Sequence, residues 1–317
     1  MFFSCKKYEN HGTDFYYWKS NANLSNAEKD IFTKLNSQKL YVRLFDVDLQ
    51  NGLPVTVGTI NTLNFNELEA EIIPVIFITN RTFENVQNGG TKLLAENIFR
   101  LSKNILDSCN VHNFNELQID CDWTGSTRQT YFQFLKELKN FSQKKISATI
   151  RLHQIKFRKK TGIPPIDHAV VMCYATSSPK DDDERNSILD IALLKNYLAE
   201  VDSYPLDFDV ALPLFSWAVV RNHLGKIKLI NSVTAAELDN PNFVKISENR
   251  YKVTEDLFFH GLYINKGFII DIEQVTPALL NETKTFLNKK LKNRQYRIVY
   301  FHLDSTFVNR FTIKDLE

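Results

Sequence analysis

The sequence predicts a (β/α)8 barrel with a small β-rich insertion between its seventh strand and its last helix. Two observations carry that prediction. Strand-like segments begin near residues 14, 40, 73, 116, 146, 168, 208 and 297, most of them separated by a stretch of helical periodicity. Several of these strands also carry a row of polar residues on one face. A closed barrel gives every strand an interior face for such a row, whereas the strands of an open doubly wound sheet are apolar on both sides. Residues 1–13 read as an N-terminal tail and 14–317 as one barrel, with the inserted β element at about 222–272.

Taken in order, Asp14 to Ser20 is a short aromatic strand. Ser25-Asn-Ala-Glu28 is a capping-box pattern, and Ile31, Phe32 and Leu35 follow at helical spacing. Lys39 to Asp48 is the second strand. Its alternation sends Leu40, Val42 and Leu44 toward the helices and Tyr41, Arg43 and Phe45 inward, with Asp46 and Asp48 at the C-terminal end. A polar connection with Asn51-Gly52 and Pro54 runs on to Ala70. Ile72 to Thr79 is a buried strand, and Leu94, Ile98, Leu101 and Ile105 mark one stripe of the next helix.

Glu116 to Thr124 is the most informative stretch. Leu117, Ile119, Cys121 and Trp123 fall on one face; Gln118, Asp120 and Asp122 fall on the other. Ionised carboxylates are costly to bury without partners, so this face is expected to point into a barrel mouth. Ser126-Thr-Arg-Gln129 is a second capping-box pattern, before a helix with Tyr131, Phe134, Leu135 and Leu138 inside. Ile146 to His153 repeats the division, with Ser147, Thr149, Arg151 and His153 on the polar face. His168 to Thr176 is a strand, Pro179 to Arg185 a loop and helix start, and Ile188 to Leu198 a helix. Phe208 to Val220 begins as a strand and carries Trp217 near its end. A hairpin around Glu248-Asn249 and a turn at Asn265-Lys-Gly267 form the insertion. Thr276-Pro277 starts the last helix, and Arg297 to Asp304 is the last strand, with Tyr300, His302 and Asp304 sharing a face.

Composition excludes several classes. The 39 Lys and Arg against 37 Asp and Glu leave a net charge of +2, which offers no field for nucleic acid. With ten glycines and no GxGxxG or GxxxxGK[ST], phosphate cradles are absent. Cys5, Cys109, Cys121 and Cys173 show no CxxC spacing, and no HxH or HExxH pair is present, so neither a metal nor another cofactor is expected. Cys121 and Cys173 read as small core residues. Met1-Phe-Phe-Ser-Cys5-Lys-Lys resembles the end of a bacterial lipoprotein signal. If translation starts upstream, Cys5 carries a lipid anchor and the protein lies in the cell envelope; otherwise the tail is that of a cytoplasmic protein. No oligomeric state is indicated.

The strand ends collect Asp48, Asp120, Asp122, Arg151, His153, Tyr174, Trp217, His302 and Asp304 where barrel enzymes keep their active sites. Carboxylates for proton transfer beside aromatic rings suit a carbohydrate or glycan ligand. Ile119-Asp-Cys-Asp-Trp-Thr124 resembles the fourth-strand motif DxxDxDxE of the chitinase-like family-eighteen glycoside hydrolases, with Asp120 and Asp122 at its second and third acidic positions. Met172-Cys-Tyr174 is similar to that family's sixth-strand Met-x-Tyr, and Leu212-Pro-Leu-Phe215 to its seventh-strand Pro-aromatic segment. The resemblance implies a sugar cleft at the barrel mouth and catalytic roles for Asp120, Asp122 and Tyr174. It departs at Leu117 and at Thr124, which stands where the family has its general acid, and no eighth-strand tryptophan is evident.

Three functions follow: a divergent glycoside hydrolase, a non-catalytic sugar-binding relative, or a metal-dependent hydrolase using His153 and His302. The first is preferred, because the polar interior is too extensive for a simple stacking groove. Arg43 is expected inside the barrel, paired with Asp120 or a neighbouring carboxylate, and Gln118 is expected to support the row. Asp120 is expected to stay ionised and to raise the pKa of Asp122.

Overall fold

A computed structural model describes residues 12–65, 68–84, 86, 89–181 and 184–317. Cys5 and the lipoprotein reading lie outside the described residues. Eight parallel strands close into a barrel: Thr13–Tyr17, Lys39–Gln50, Glu71–Ile78, Glu116–Asp120, Lys145–Arg151, His168–Met172, Phe208–Pro213 and Ile298–Phe301. Closure is made by the first strand, which pairs with both the last (Asp14 beside Val299) and the second (Tyr16 beside Tyr41). The second strand overruns the barrel and turns back as a hairpin with Leu53–Val57. Its turn is Asn51-Gly52, at φ 50° and 79°, the two positive values that favour this dipeptide in tight hairpins.

Period-two alternation divides the strand side chains into two cores. Outward residues such as Leu40, Val42, Leu117, Ile119, Ile146 and Ile150 join the large cluster under the helices. Inward, Tyr16, Tyr41, Ile73, Val75, Val170, Tyr174, Ala211 and Val299 fill the barrel. Phe45 departs from its expected inward placement. The register slips between Arg43 and Phe45, so Leu44 and Phe45 both join the outer core before the alternation resumes. Cys121 and Cys173 are buried there too, as expected.

The helices follow their patterns, with two differences at the caps. Ser25 and Glu28 form the expected capping box of Asn26–Lys34, and Thr276 caps Pro277–Lys290. Helix Gly90–Ser108 buries Leu94 and Ile98, while Arg128–Ser142 buries Tyr131, Phe134, Leu135 and Leu138. The latter begins without a side-chain cap bond, and Ser126 instead meets Thr124. Strand five stops at Arg151, so His153 sits in a short helix, Leu152–Lys156, rather than on the strand. The helix after the sixth strand starts only at Ile191, capped by Asp190.

The segment Phe208 to Val220 is two strands, not one. The barrel strand ends at Pro213, and Ser216–Arg221 opens an antiparallel sheet with Ile227–Asn231, Ile269–Gln274, Arg250–Val253 and Phe243–Lys245. This sheet is the β-rich insertion, and its strands run from Ser216 to Gln274, wider than 222–272 at both ends. The hairpin around Glu248-Asn249 and the turn at Gly267 are in place. The insertion has its own core of Ala218, Val220, Ile230, Tyr251, Ile270 and Ile272, among others.

Candidate active site at the barrel mouth

The fourth and fifth strands build the polar centre. Gln118 is fully buried and accepts a hydrogen bond from Tyr16 Oη at 2.7 Å. One step up, Asp120 is 6% exposed and accepts from Thr149 Oγ1 at 2.6 Å. Burial pushes its pKa up to about 7, with the Thr149 bond opposing and the Asp122 charge adding to the rise. The raised pKa therefore falls on Asp120, which was expected to stay ionised. Depth in the barrel outweighs the neighbouring charge as its cause. At the rim, the Asp122 side chain is 46% exposed, and both its oxygens accept from Arg151 Nη1, at 3.1 and 2.9 Å.

These strand ends are stitched together by Gln154. It accepts from the Arg151 backbone N–H at 2.8 Å and donates to the Trp123 carbonyl at 3.0 Å, which fixes Arg151 against the Asp122 loop. His153 is half-buried beside them, and burial with the Arg151 charge lowers its pKa. From the sixth strand's end, Tyr174 reaches into the same space. Its hydroxyl is buried and has no protein partner among the described residues, and burial together with the Asp120 charge raises its pKa well above the ordinary value. Asp120, Asp122, Arg151, His153 and Tyr174 come together as expected.

The other expected residues do not join that centre. Arg43 pairs with Asp46, its Nε 2.6 Å from Asp46 Oδ1, and lies 6.0 Å from the Trp18 ring. It thus finds a neighbouring carboxylate rather than Asp120. Asp48 is held by Arg81, by Thr79 Oγ1 at 2.7 Å and by the Leu49 N–H at 2.8 Å. The Arg81 bonds lead in holding its pKa well below the usual carboxylate range. His302 and Asp304 are also displaced. In the last strand Val299 and Phe301 face inward, while Tyr300 lies in the outer core with its hydroxyl on the Leu316 carbonyl. His302 packs on Phe307, and burial lowers its pKa. Asp304 caps helix Ser305–Val308 and meets Lys19 at 3.1 Å, which in turn bonds Glu28 at 2.6 Å. Asp304 thus belongs to an ion cluster with Lys19 and Glu28 at the first helix, and His302 lies beside it against Phe307. Among the described residues, no three His, Cys, Asp or Glu side chains gather to hold a metal ion.

Sequence reading placed Trp217 at the mouth but missed the aromatic floor to which it belongs. Four partly exposed rings touch in series: Trp18 to Phe301 at 5.5 Å, Phe301 to Phe215 at 6.0 Å and Phe215 to Trp217 at 5.2 Å. Tyr174 packs on both middle rings, at 5.7 Å from Phe301 and 6.2 Å from Phe215, which sets the track beside the carboxylates. Phe301 stands at the eighth-strand end, where the resemblance implies a tryptophan. The signal was there in the alternation of Val299 and Phe301, but Tyr300 and His302 offered an equally plausible inner face. Trp217 reaches the track from the insertion. Trp123 packs in the outer core, as its parity implied, with Nε1 donating to the Thr161 carbonyl at 3.0 Å.

Fold and strand-end geometry together define a (β/α)8 barrel with a polar and aromatic mouth. No family model and no curated protein matches the sequence. Among solved structures, the chain is similar to the spore cortex-lytic enzyme SleL of Bacillus megaterium, at 14% identity and a TM-score of 0.62 over 97% of this chain and 74% of that one. It is similar to a chitinase of Chromobacterium violaceum at 10% identity and a TM-score of 0.62, covering 96% and 98%. A class V chitinase of Nicotiana tobaccum in complex with NAG4 matches at 9% identity and a TM-score of 0.56, covering 97% and 98%. At these identities the likeness is one of fold.

Proposed function

We propose that this protein is a divergent glycoside hydrolase that binds a glycan along the aromatic track and acts on it at Asp122. The observation that supports this reading is the convergence of Asp120, Asp122, Arg151 and the unpartnered Tyr174 hydroxyl beside four rings in series. Sugar rings present axial C–H groups to aromatic faces, so such a track suits an extended glycan. Asp122 is the exposed carboxyl that a ligand meets first, and the Arg151 guanidinium holds it in place. Asp120 carries a proton below about pH 7 and lies two residues behind it on the same strand face. The Tyr174 hydroxyl stays protonated and is free to donate to a substrate oxygen.

One observation favours a second reading, a sugar-binding barrel without turnover. Thr124, at the position of the family's general acid, is exposed, and its hydroxyl is spent on Ser126 Oγ at 2.8 Å. The metal-dependent alternative loses its motive, since His153 and His302 fall in different clusters. The test is hydrolysis of a broad glycan panel by wild type and Asp122→Asn. The enzyme reading expects turnover of at least one glycan by wild type. Asp122→Asn should abolish that turnover with the thermal midpoint nearly unchanged, because a half-exposed ion pair contributes at most about 1 kcal/mol. Full activity in Asp122→Asn removes the assignment. Binding without turnover in wild type selects the second reading.

A further inference from the structure

Ser187, Trp217 and Glu273 come from three separate places in the chain: the loop after the sixth strand, the first strand of the insertion and its last. Trp217 and Glu273 are direct partners across the antiparallel pair Ser216–Arg221 and Ile269–Gln274, so their side chains share one face of the sheet. Glu273 is 6% exposed. Its Oε2 accepts from Trp217 Nε1 at 2.7 Å and from Ser187 Oγ at 2.5 Å. Asn186, next to Ser187, donates to the Gln274 carbonyl at 2.8 Å and pins the loop to the same strand.

Packing does not require this arrangement. A half-buried indole N–H can be satisfied by water or a neutral amide, whereas a carboxylate held away from water is costly and is retained only with good donors. What the carboxylate adds is direction: a bond donated by the indole to a buried, doubly held oxygen fixes the plane of the indole. That plane matters because Trp217 is the last ring of the track, 5.2 Å from Phe215. Nothing in the sequence singled out Glu273, which lies in a strand reading as ordinary insertion.

We propose that Glu273, seated by Ser187, is a positioning residue that orients Trp217 as the terminal stacking platform for a long glycan. This inference rests on the carbohydrate reading above. A ligand short enough to lie over Phe301 and Phe215 does not reach Trp217, whereas a longer one does. The length dependence of binding is therefore the signature of the role.

The experiment measures affinity for short and long N-acetylglucosamine oligomers by calorimetry, with glucose oligomers of matching length in parallel. The variants are Glu273→Gln, Ser187→Ala and Trp217→Ala, each checked by thermal unfolding. Wild type should bind long oligomers more tightly than short ones. Trp217→Ala should lose roughly tenfold for the long oligomer and little for the short one, the scale of one aromatic contact, and Glu273→Gln a smaller but equally length-dependent part of that loss. Combining the two should lose no more than Trp217→Ala alone, since both act through one ring. Ser187→Ala, which removes a donor without disturbing the sheet, should show a smaller loss of the same kind. Unchanged long-oligomer affinity in Glu273→Gln overturns the proposal, as does an equal loss for short and long. A wild type that neither binds nor cleaves any oligomer of either series overturns the carbohydrate reading, and this placement with it.

Discussion

At the scale of single residues, Asp120 makes the sharpest prediction. Its folded pKa of about 7 lies above the ordinary value of about 3.9. A raised pKa means that the folded state binds the proton more tightly than the unfolded chain. The associated stability is fully present below about pH 4 and is lost as pH rises toward about 7. Asp120→Asn keeps an acceptor for Thr149 and cannot ionise. The advantage of the variant over wild type should therefore grow by about 2–3 kcal/mol between pH 5 and pH 8, measured by urea unfolding. A gap independent of pH would show that Asp120 is not the titrating group. Alternation placed this carboxylate inside the barrel but could not supply its partner: Arg43, expected beside it or a neighbouring carboxylate, pairs with Asp46, and burial is left to raise the pKa. The same limit applies to Asp48 and Asp304. Their place at the strand ends was visible, but the partners that occupy them, Arg81 and Lys19, come from other elements with no sequence link to either.

At the scale of elements, local signals were legible where one segment carries them whole. The Ser25–Glu28 capping box is complete, since Ser25 Oγ accepts from the Glu28 N–H and Glu28 Oε2 from the Ser25 N–H at 2.8 Å. Ser126-Thr-Arg-Gln129 has the same spelling, yet Ser126 is turned toward Thr124, and Thr127 donates to Asn80 Oδ1 at 2.6 Å. There the tertiary bond to the neighbouring loop wins over the local cap. Ser25→Ala should thus cost about 1 kcal/mol and Ser126→Ala less than about 0.5 kcal/mol, read from denaturant midpoints. Equal losses would mean that sequence pattern, rather than the observed bonding, governs both helix starts. Two other misread elements have equally local causes. A bulge after Arg43 sends Phe45 outward, and the last strand alternates two faces that are both half apolar. Neither a bulge nor a choice between similar faces leaves a mark in residue spacing.

At the scale of the whole molecule, the barrel was legible because eight strands each repeat the same inside-outside division, and closure follows from that repetition. The insertion was legible as β structure, but the meeting of Trp217 and Glu273 across its sheet was not. Its energetics differ from those of the barrel. The barrel strands have no free edge in the closed ring, and their outer core runs continuously from Phe15 to Leu316. The insertion sheet has two edges, Ile227–Asn231 and Phe243–Lys245, with Leu229 and Val244 exposed on them, and a much smaller core of its own. Smaller buried area and open edges favour opening as a separate unit below the free energy of global unfolding. Hydrogen exchange in low denaturant should therefore release the amides of Ile227–Asn231 and Phe243–Val253 first. Those of Ser216–Arg221 and Ile269–Gln274, rooted in the barrel through Ser187 and Asn186, should follow later, and the barrel strands only with global unfolding. Exchange of all three groups at a single free energy would instead mean that the two cores unfold as one. In that case the orientation of Trp217 would be as rigid as the barrel itself, whether or not Glu273 holds it.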